Sequence, residues 1–391
     1  SVAYMVGLDL ARNEENKDSK YRVDYTGGFP AVAHTTGEVV SDTNSKENIN
    51  ELYGEINYVI NDKIATTFNT RVDKIKYNYT NNMNQDAWEK DFTEYSYKLG
   101  ATYKLKEDSI VYTNTSTGFR VPTLDQMYAG DMSTSTYSGT YTNNTEIKTE
   151  KTYNYEIGLR SKNDQLTYDI SIYQINRDDV IGRSSGNYAS TKGVDVHYDN
   201  MADVENKGLE FSLNTNNKKN LFFNFNYTYL DSKYTKYDEF NLILNEAGVD
   251  HNGNNFDGNN QNYSAGVYNL AGNVVPRTSK HTINLATNYR VIQNLLLTAE
   301  VNYRSSQYAD ELNRIKVDGY SVINFKTKYN TKISKLNIEF FAKINNAFDK
   351  QYYMMPRAAS DRNSDGVYDA GDLGLTVNPG RSYLAGLSVK F

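Results

Sequence analysis

Residues 361–372 carry oxygen-bearing side chains at the spacing of a calcium-binding loop. A hard cation needs several oxygen ligands that converge from one turn, and a glycine at the sixth position permits that turn. The candidate ligands are Asp361, Asn363, Asp365, Val367 through its backbone carbonyl, Asp369 and Asp372. Asp372 is shorter than the glutamate usual at the last position, so we expect a weakened calcium site. The alternative interpretation is a polar turn without an ion.

Polar stretches at 120–151, 181–202 and 235–278 contain many tyrosines. A phenol ring suits a flat, amphipathic small ligand, because its face is apolar and its hydroxyl forms hydrogen bonds. The candidate ligand-binding residues are Arg120, Tyr128, Tyr137, Tyr141, Tyr188 and His251. The alternative for each tyrosine is packing within a loop or an interfacial girdle, and for Arg120 a structural position at the end of a strand.

No segment of the sequence has the spacing of an enzyme active site. A phosphate-binding loop and a His-Glu-x-x-His motif are both absent, and only Asp250 and His251 resemble part of a hydrolase triad. The chain has no cysteine, which excludes disulfides and thiolate metal sites. We therefore expect no enzymatic activity and no redox cofactor. The 42 basic and 48 acidic residues give no reason to expect nucleic acid as a partner.

Alternation of apolar and polar residues predicts β-strands along the whole chain. In residues 336–345, apolar side chains occupy every second position, which places them on one face of a strand. About fourteen such segments occur, at 2–12, 49–61, 64–80, 92–106, 109–120, 152–163, 165–180, 203–217, 221–234, 279–290, 295–306, 317–330, 335–348 and 381–391. No run of apolar residues is long enough to predict a transmembrane helix.

The connections between these segments alternate between short and long. Short turns are predicted near 61–63, 106–108, 162–164, 216–219 and 293–294, and long polar loops at 13–48, 120–151, 181–202, 235–278 and 349–380. This alternation, with 35 Tyr and 15 Phe, is typical of barrels that cross a lipid bilayer with strands. We therefore predict an all-β, antiparallel up-and-down transmembrane β-barrel. Its long loops face outward, and Phe391 at the inner rim is the expected signal for the barrel-assembly machinery.

Several segments resemble the TonB-dependent receptors of Gram-negative outer membranes. Residues 117–128 are similar to the Gly-Phe-Arg-Ala-Pro box of that family. Residues 143–150 are similar to its Asn-Pro-x-Leu-x-Pro-Glu box, degraded here and without the prolines. Further family-like sequences are at 152–160, 204–211, 276–282, 345–352 and 379–391. Their shared order along the chain makes the resemblance specific.

The resemblance implies a barrel of about 22 strands with a plug in its lumen. Residues 1–391 would then form one transmembrane domain, and about eight strands and the plug that contacts TonB would precede Ser1. The implied function is energised import in the outer membrane, with a ferric siderophore as the expected ligand. Haem and cobalamin are the alternative ligands, although residues 123–151 lack the histidine that haem receptors place there. A passive porin or an adhesin is the alternative outside the family.

Overall fold

The structure is a computed structural model that describes residues 1–27, 32–83, 85–127, 144–185, 196–246, 261–358 and 367–390. These residues are almost entirely in β-strands and their connections. Helical structure in them is limited to α1 (Leu124–Met127) and a 3-10 turn at Ala370–Asp372. Within the same ranges, no helix has the length and apolar character to cross a membrane.

The described part of the chain contains twenty strands. Their β-branched and aromatic residues favour the extended conformation, because these side chains pack well on a pleated surface. The strands are β1 (Val2–Lys20), β2 (Tyr25–Gly27), β3 (Val32–His34), β4 (Val39–Val59), β5 (Ile64–Asn81), β6 (Asp86–Lys106), β7 (Ser109–Arg120), β8 (Glu150–Lys162), β9 (Leu166–Ser185), β10 (Val196–Thr215), β11 (Leu221–Lys236), β12 (Phe240–Glu246), β13 (Gln261–Tyr268), β14 (His281–Ile292), β15 (Leu295–Arg304), β16 (Gln307–Tyr308), β17 (Lys316–Val317), β18 (Tyr320–Ile333), β19 (Leu336–Asn345) and β20 (Ser382–Lys390).

Fourteen of these strands form one antiparallel sheet in the order β1-β4-β5-β6-β7-β8-β9-β10-β11-β14-β15-β18-β19-β20. Each strand pairs with the next long strand along the chain, which is the connectivity of an up-and-down barrel. The six short strands form three hairpins within the outer loops: β2–β3, β12–β13 and β16–β17. The predicted fold class and the fourteen predicted strand segments are therefore confirmed.

The predicted boundaries of several outer loops were wrong. The first loop, predicted at 13–48, spans only 21–38, because β1 and β4 stay paired as far as Lys20 and Val39. Polar side chains on both faces of this outer part of the hairpin removed the alternation that signals a strand. The loop predicted at 235–278 contains the hairpin β12–β13.

The pairing register separates an apolar face from a polar face. In antiparallel strands, residues directly opposite each other lie on the same face. Leu297 and Val301 of β15 lie opposite Tyr289 and Leu285 of β14, whereas Thr298 lies opposite a β14 asparagine. The apolar face is the lipid-facing surface of an up-and-down barrel wall, and the polar face lines its lumen.

Aromatic rings cover glycines on the inner face. A Cβ atom at Gly208 would lie 2.2 Å from Cζ of Tyr173, its direct partner on β9. An aromatic ring that lies flat on a glycine shields the backbone and fixes the register of the two strands. The other pairs of this kind are Gly7 with Tyr53, Gly158 with Tyr112 and Gly386 with Phe341.

Buried apolar residues are concentrated where the strands meet the outer loops. One cluster contains Ile75 and Phe92 of β5 and β6 together with Met127 and Ile147 of the following loop. A second cluster lies between the loops that follow β15 and β19, around Ile315. The wall of the barrel therefore has its tightest packing at the outer mouth.

Candidate functional site at the outer mouth and the inner wall

A buried ion-pair cluster lies where β7, β8 and β9 reach the outer mouth. Glu150, the first residue of β8, is only 4% exposed. Arg120 donates from Nε to its carboxylate at 3.0 Å and also contacts it through Nη2, while Arg177 Nη2 lies at 3.3 Å. The backbone N–H of Ile181 completes the set at 2.7 Å. A buried carboxylate is stabilised only when it is paired and hydrogen-bonded in this way.

The loop after Arg120 turns back onto the inner wall. Met127 and Ile147 are buried against Ile75 and Phe92. The backbone N–H of Asn144 donates to the carbonyl of Met127 at 2.7 Å, so residues 127 and 144 lie side by side. The base of this loop is therefore fixed by apolar contacts and a backbone hydrogen bond.

Residues 144–149 are also hydrogen-bonded to the outer end of β10. The side chain of Asn200 accepts from the backbone N–H of Lys148 at 2.8 Å and donates to its carbonyl at 3.0 Å. Asn144 Nδ2 donates to the carbonyl of Tyr198 at 2.7 Å. Together with the Arg120–Glu150–Arg177 cluster, these bonds join the loops on either side of β8 and β9 into one mouth platform.

A second platform lies at the same mouth, in the loops next to β14, β15 and β19. It is centred on Asp310, so we call it the Asp310 platform. Asp310 is buried, and its carboxylate accepts hydrogen bonds from the backbone N–H groups of Arg314 at 3.0 Å and Ile315 at 2.7 Å. Asn313 exchanges hydrogen bonds with the backbone of Val274, at 2.7 and 2.8 Å. This central loop between β15 and β18 is thereby linked to the loop before β14.

The loop between β19 and β20 contributes the third part of the Asp310 platform. Tyr368 donates through its hydroxyl to the carbonyl of Ala358 at 2.6 Å. Burial raises the pKa of the Tyr368 hydroxyl, and the neighbouring acids Asp310, Glu311 and Asp372 add to the effect. Burial likewise raises the pKa of the half-buried Glu311 carboxyl, although the nearby Arg277 lowers it again in part. This platform therefore holds acids that cationic partners balance only in part.

The described half of the predicted calcium loop forms a helix cap. Asp369 Oδ1 accepts from the backbone N–H of Gly371 at 2.6 Å, and Asp372 Oδ2 accepts from that of Asp369 at 3.0 Å. This reciprocal arrangement is a capping box on the 3-10 turn. The side chain of Val367 is exposed. Asp361, Asn363 and Asp365 lie outside the described residues, and the described residues alone contain no group of three acids or histidines able to hold a metal.

On the inner wall, four carboxylates lie directly opposite one another across four strands. This acidic row consists of Asp9, Glu51, Asp73 and Glu94, on β1, β4, β5 and β6. Arg71 donates from Nη2 to Glu51 at 2.7 Å, and from Nε to the two oxygens of Asp73 at 2.7 and 2.8 Å. Asp73 is 1% exposed. Like charges opposite each other are unfavourable, and they are offset here by Arg71 and by Lys151, whose Nζ lies 3.7 Å from Glu94.

Of the ligand-binding residues predicted from sequence, only Arg120 lies in the described part of the chain. Its guanidinium is bound to Glu150, which agrees with the structural interpretation of this residue. The others are outside the described residues: Tyr128, Tyr137, Tyr141, Tyr188 and His251. Phe391, the predicted assembly signal, is also outside them.

Sequence reasoning missed Glu150, Arg177 and Asp310 as key residues of the mouth. A signal existed for Glu150, because Arg120 and Glu150 fall in the two boxes that resemble a known family and the structure pairs them. Asp310 had no such signal. It lies in a short polar loop whose composition predicts only a turn.

Comparison with known proteins places the chain in a family. Residues 3–347 match the family model described as TonB dependent receptor-like, beta-barrel. The chain is 24% identical over 260 residues to the vitamin B12 transporter BtuB of Photobacterium profundum, covering 66% of this chain and 35% of that protein. It is 25% identical over 264 residues to a probable TonB-dependent siderophore receptor, PiuA of Acinetobacter baumannii, covering 66% and 30%.

The fold is similar to that of solved receptors. The crystal structure of the siderophore receptor PiuA from Acinetobacter baumannii superimposes with a TM-score of 0.69 at 19% identity, over 100% of this chain and 53% of that one. The chain thus spans about a third of the length of these curated relatives and about half of this solved structure. On the family match over most of its length, the chain belongs to the TonB-dependent receptors and contains part of their β-barrel.

Proposed function

We propose that this chain is the membrane-spanning C-terminal part of an active importer of ferric siderophores in the bacterial outer membrane. The observation that carries the proposal is the division of the wall into an apolar outer face, a polar inner face and two tightly bonded loop platforms at the mouth. Such platforms hold outer loops in position above a polar passage. A passage of this kind suits the uptake of a ligand that is too large or too dilute for simple diffusion.

The ligand contacts in this proposal come from the outer loops. Tyr128, Tyr137 and Tyr141 follow the fixed base at Met127, and Tyr188 and His251 lie in neighbouring loops. Aromatic rings with hydroxyl tips suit the flat, partly apolar chelating groups of a siderophore. Arg120 would act on the ligand indirectly, by holding Glu150 and the loop that follows.

The proposal includes a longer protein. About eight strands and a plug that contacts TonB would complete a barrel of about 22 strands. The barrel-assembly machinery would recognise the final strand with Phe391. The intact mass of the protein from native outer membranes tests this directly, because a mass near the 44.5 kDa of this chain would contradict it.

The segment 361–372 is proposed to bind calcium as well. The capping box between Asp369 and Asp372 starts a helical turn near the end of the segment, where the last ligands of such loops lie. Titration of the purified receptor with calcium, with chelator as reference, should protect this loop from proteolysis. Replacing Asp365 with Ala should abolish the protection. Equal cleavage with and without calcium would show that the segment is an ordinary polar turn.

Transport assays separate the ligand classes. Cells that express the complete receptor should accumulate iron from a ferric siderophore in a saturable manner, and loss of TonB should abolish the uptake. Uptake of labelled cobalamin or haem instead would assign the alternative ligands of the same family. Conductance without TonB and without saturation would indicate a passive porin.

A further inference from the structure

The inner face of the last three strands carries five lysines. This lysine wall consists of Lys326, Lys328 and Lys332 on β18, Lys343 on β19 and Lys390 on β20. Lys326 lies directly opposite Lys343. Lys332 and Lys390 lie on either side of Asn337 in a single row across the three strands.

Only two of these five lysines have a carboxylate partner in the described structure. Lys326 contacts Glu300 of the adjacent strand β15, and Lys328 Nζ lies 3.3 Å from Glu339. Within the described residues, Lys332, Lys343 and Lys390 form no ion pair. Like charges that face each other across a ladder are unfavourable unless an anion lies between them. The wall therefore keeps a surplus of positive charge toward the lumen.

A recess of about 670 Å³ lies at the end of this wall next to the short turns. Its size falls in the range of small-molecule sites, which is about 300–1,000 Å³. Ammonium groups and side-chain amides, both hydrogen-bond donors, dominate the lining. The polar residues that line it are Asn294, Lys328, Asn330, Thr331, Lys332, Asn337, Glu339, Ser388 and Lys390. Cationic and amide donors that converge on one recess can bind carboxylate or phosphate oxygens.

The acidic row on the same inner wall carries the opposite charge. In the acidic row, Arg71 neutralises part of the charge of Asp73 and Glu51 from within the protein. The lysine wall has the opposite sign and leaves three cations without such a partner. A polar lumen requires hydrophilic side chains but does not require that one side be acidic and another basic. The difference in charge between the acidic row and the lysine wall therefore indicates that the lysine wall has a specific electrostatic role.

We propose that the lysine wall binds small ligands that carry two or more carboxylate or phosphate groups. The inference extends the proposed function, in that it makes the imported complex a polyanion that meets this wall on its way through the lumen. A field of one sign inside a low-dielectric wall attracts such ligands over neutral ones. Lys332 and Lys390 are separated by two strand spacings, about 10 Å. One ligand can bridge this distance only if it has two separated anionic groups.

Lysine labelling tests the proposal on the intact receptor in outer-membrane fragments. Pyridoxal 5′-phosphate forms a Schiff base with lysine that borohydride reduces, and phosphate-free pyridoxal is the neutral control. The phosphate form should label Lys332, Lys343 and Lys390 about tenfold more than the neutral form, as expected where charge focuses an anion. Exposed Lys207 and Lys219, which do not line the recess, should show a much smaller ratio. Millimolar citrate should protect the three wall lysines only.

Equal labelling by the two reagents, or no protection by citrate, would overturn the proposal. Wall lysines that stay unlabelled in the intact receptor would overturn it as well, because a protein segment would then cover the wall. The double variant K332Q/K390Q should remove the citrate protection of Lys343, whereas K207Q on the outer face should leave it unchanged. Labelling does not depend on transport, so iron uptake by cells that express the same receptor tests the proposed function separately.

Discussion

Two charged regions of the same inner wall differ in how their charges are compensated. The acidic row on β1, β4, β5 and β6 contains its own cation, Arg71, which is hydrogen-bonded to two of the four carboxylates. The lysine wall on β18, β19 and β20 places Lys326 opposite Lys343 and leaves three lysines without an ion pair among the described residues.

The difference separates a structural cluster from one that is available to a ligand. A carboxylate such as Asp73, at 1% exposure, is stable only because Arg71 and its hydrogen bonds replace the lost water. Exposed lysines retain their water and need no internal partner. A charged group that the protein has already neutralised contributes to stability, whereas one that it leaves solvated can exchange water for a ligand.

The largest expected effect comes from removing the internal cation. R71Q leaves Asp73 buried beside Glu51 and Glu94 without the cation to which it is hydrogen-bonded. Because the Arg71 side chain is itself 44% exposed, we expect a loss of about 3 kcal/mol in the free energy of unfolding, the lower end for breaking a buried pair. Thermal unfolding of the receptor in detergent measures it. R12Q, at an exposed pair on the outer face, is the control. Equal stability of R71Q and wild type would remove the distinction between the two regions.

The mouth platform contains a second buried carboxylate that is neutralised by cations of the protein itself, Glu150 with Arg120 and Arg177. E150Q keeps the shape of the buried side chain but removes the charge that binds Arg120 and Arg177. We expect the free energy of unfolding to fall by about 2 kcal/mol, as for the loss of hydrogen bonds to a charged group. Hydrogen exchange should rise at residues 144–149, while E146Q at an exposed position nearby should have no effect. Unchanged exchange in E150Q would mean that apolar packing alone holds the loop.

Glu311 is an intermediate case. Its carboxyl is half-buried, and the nearby Arg277 offsets the cost of burying its charge only in part. Since burial raises the pKa of its carboxyl, folding favours the protonated form. The contribution of Glu311 to stability is therefore present at low pH and is lost as the pH rises through its pKa in the folded state. Limited proteolysis of residues 305–319 should become faster as the pH rises above the ordinary range of a glutamate carboxyl, relative to a pH-insensitive site in the same protein. E311Q should make the proteolysis rate less dependent on pH. Identical pH profiles for E311Q and wild type would show that Glu311 is not the group responsible.

The smallest expected effect comes from the lysine wall. K343Q removes the positive charge directly opposite Lys326 and should raise the free energy of unfolding by up to about 0.5 kcal/mol. K207Q on the outer face, where Lys207 pairs with Glu205 at 2.7 Å, should lower it slightly. Chemical unfolding at low salt measures both changes. A clear loss of stability in K343Q would show that this wall, like the acidic row, is structural.

Much of the fold was predictable from local pattern. The segment 336–345 predicts a strand with apolar residues at every second position, and the structure places those residues on the outer face of β19. The prediction failed in the outer part of the first hairpin, residues 13–20 paired with 39–48. There both faces are polar, so the alternation is absent although the backbone pairing continues.

The sequence by itself determined the strands, their two faces and the short turns, because the period of two is a property of neighbouring residues and a bilayer demands an apolar face. Only the tertiary structure decided which charges meet. Arg120 and Glu150 are 30 residues apart, and the four acids of the row come from four strands. Such contacts depend on the register of pairing between strands, where a slip of one residue would exchange the two faces.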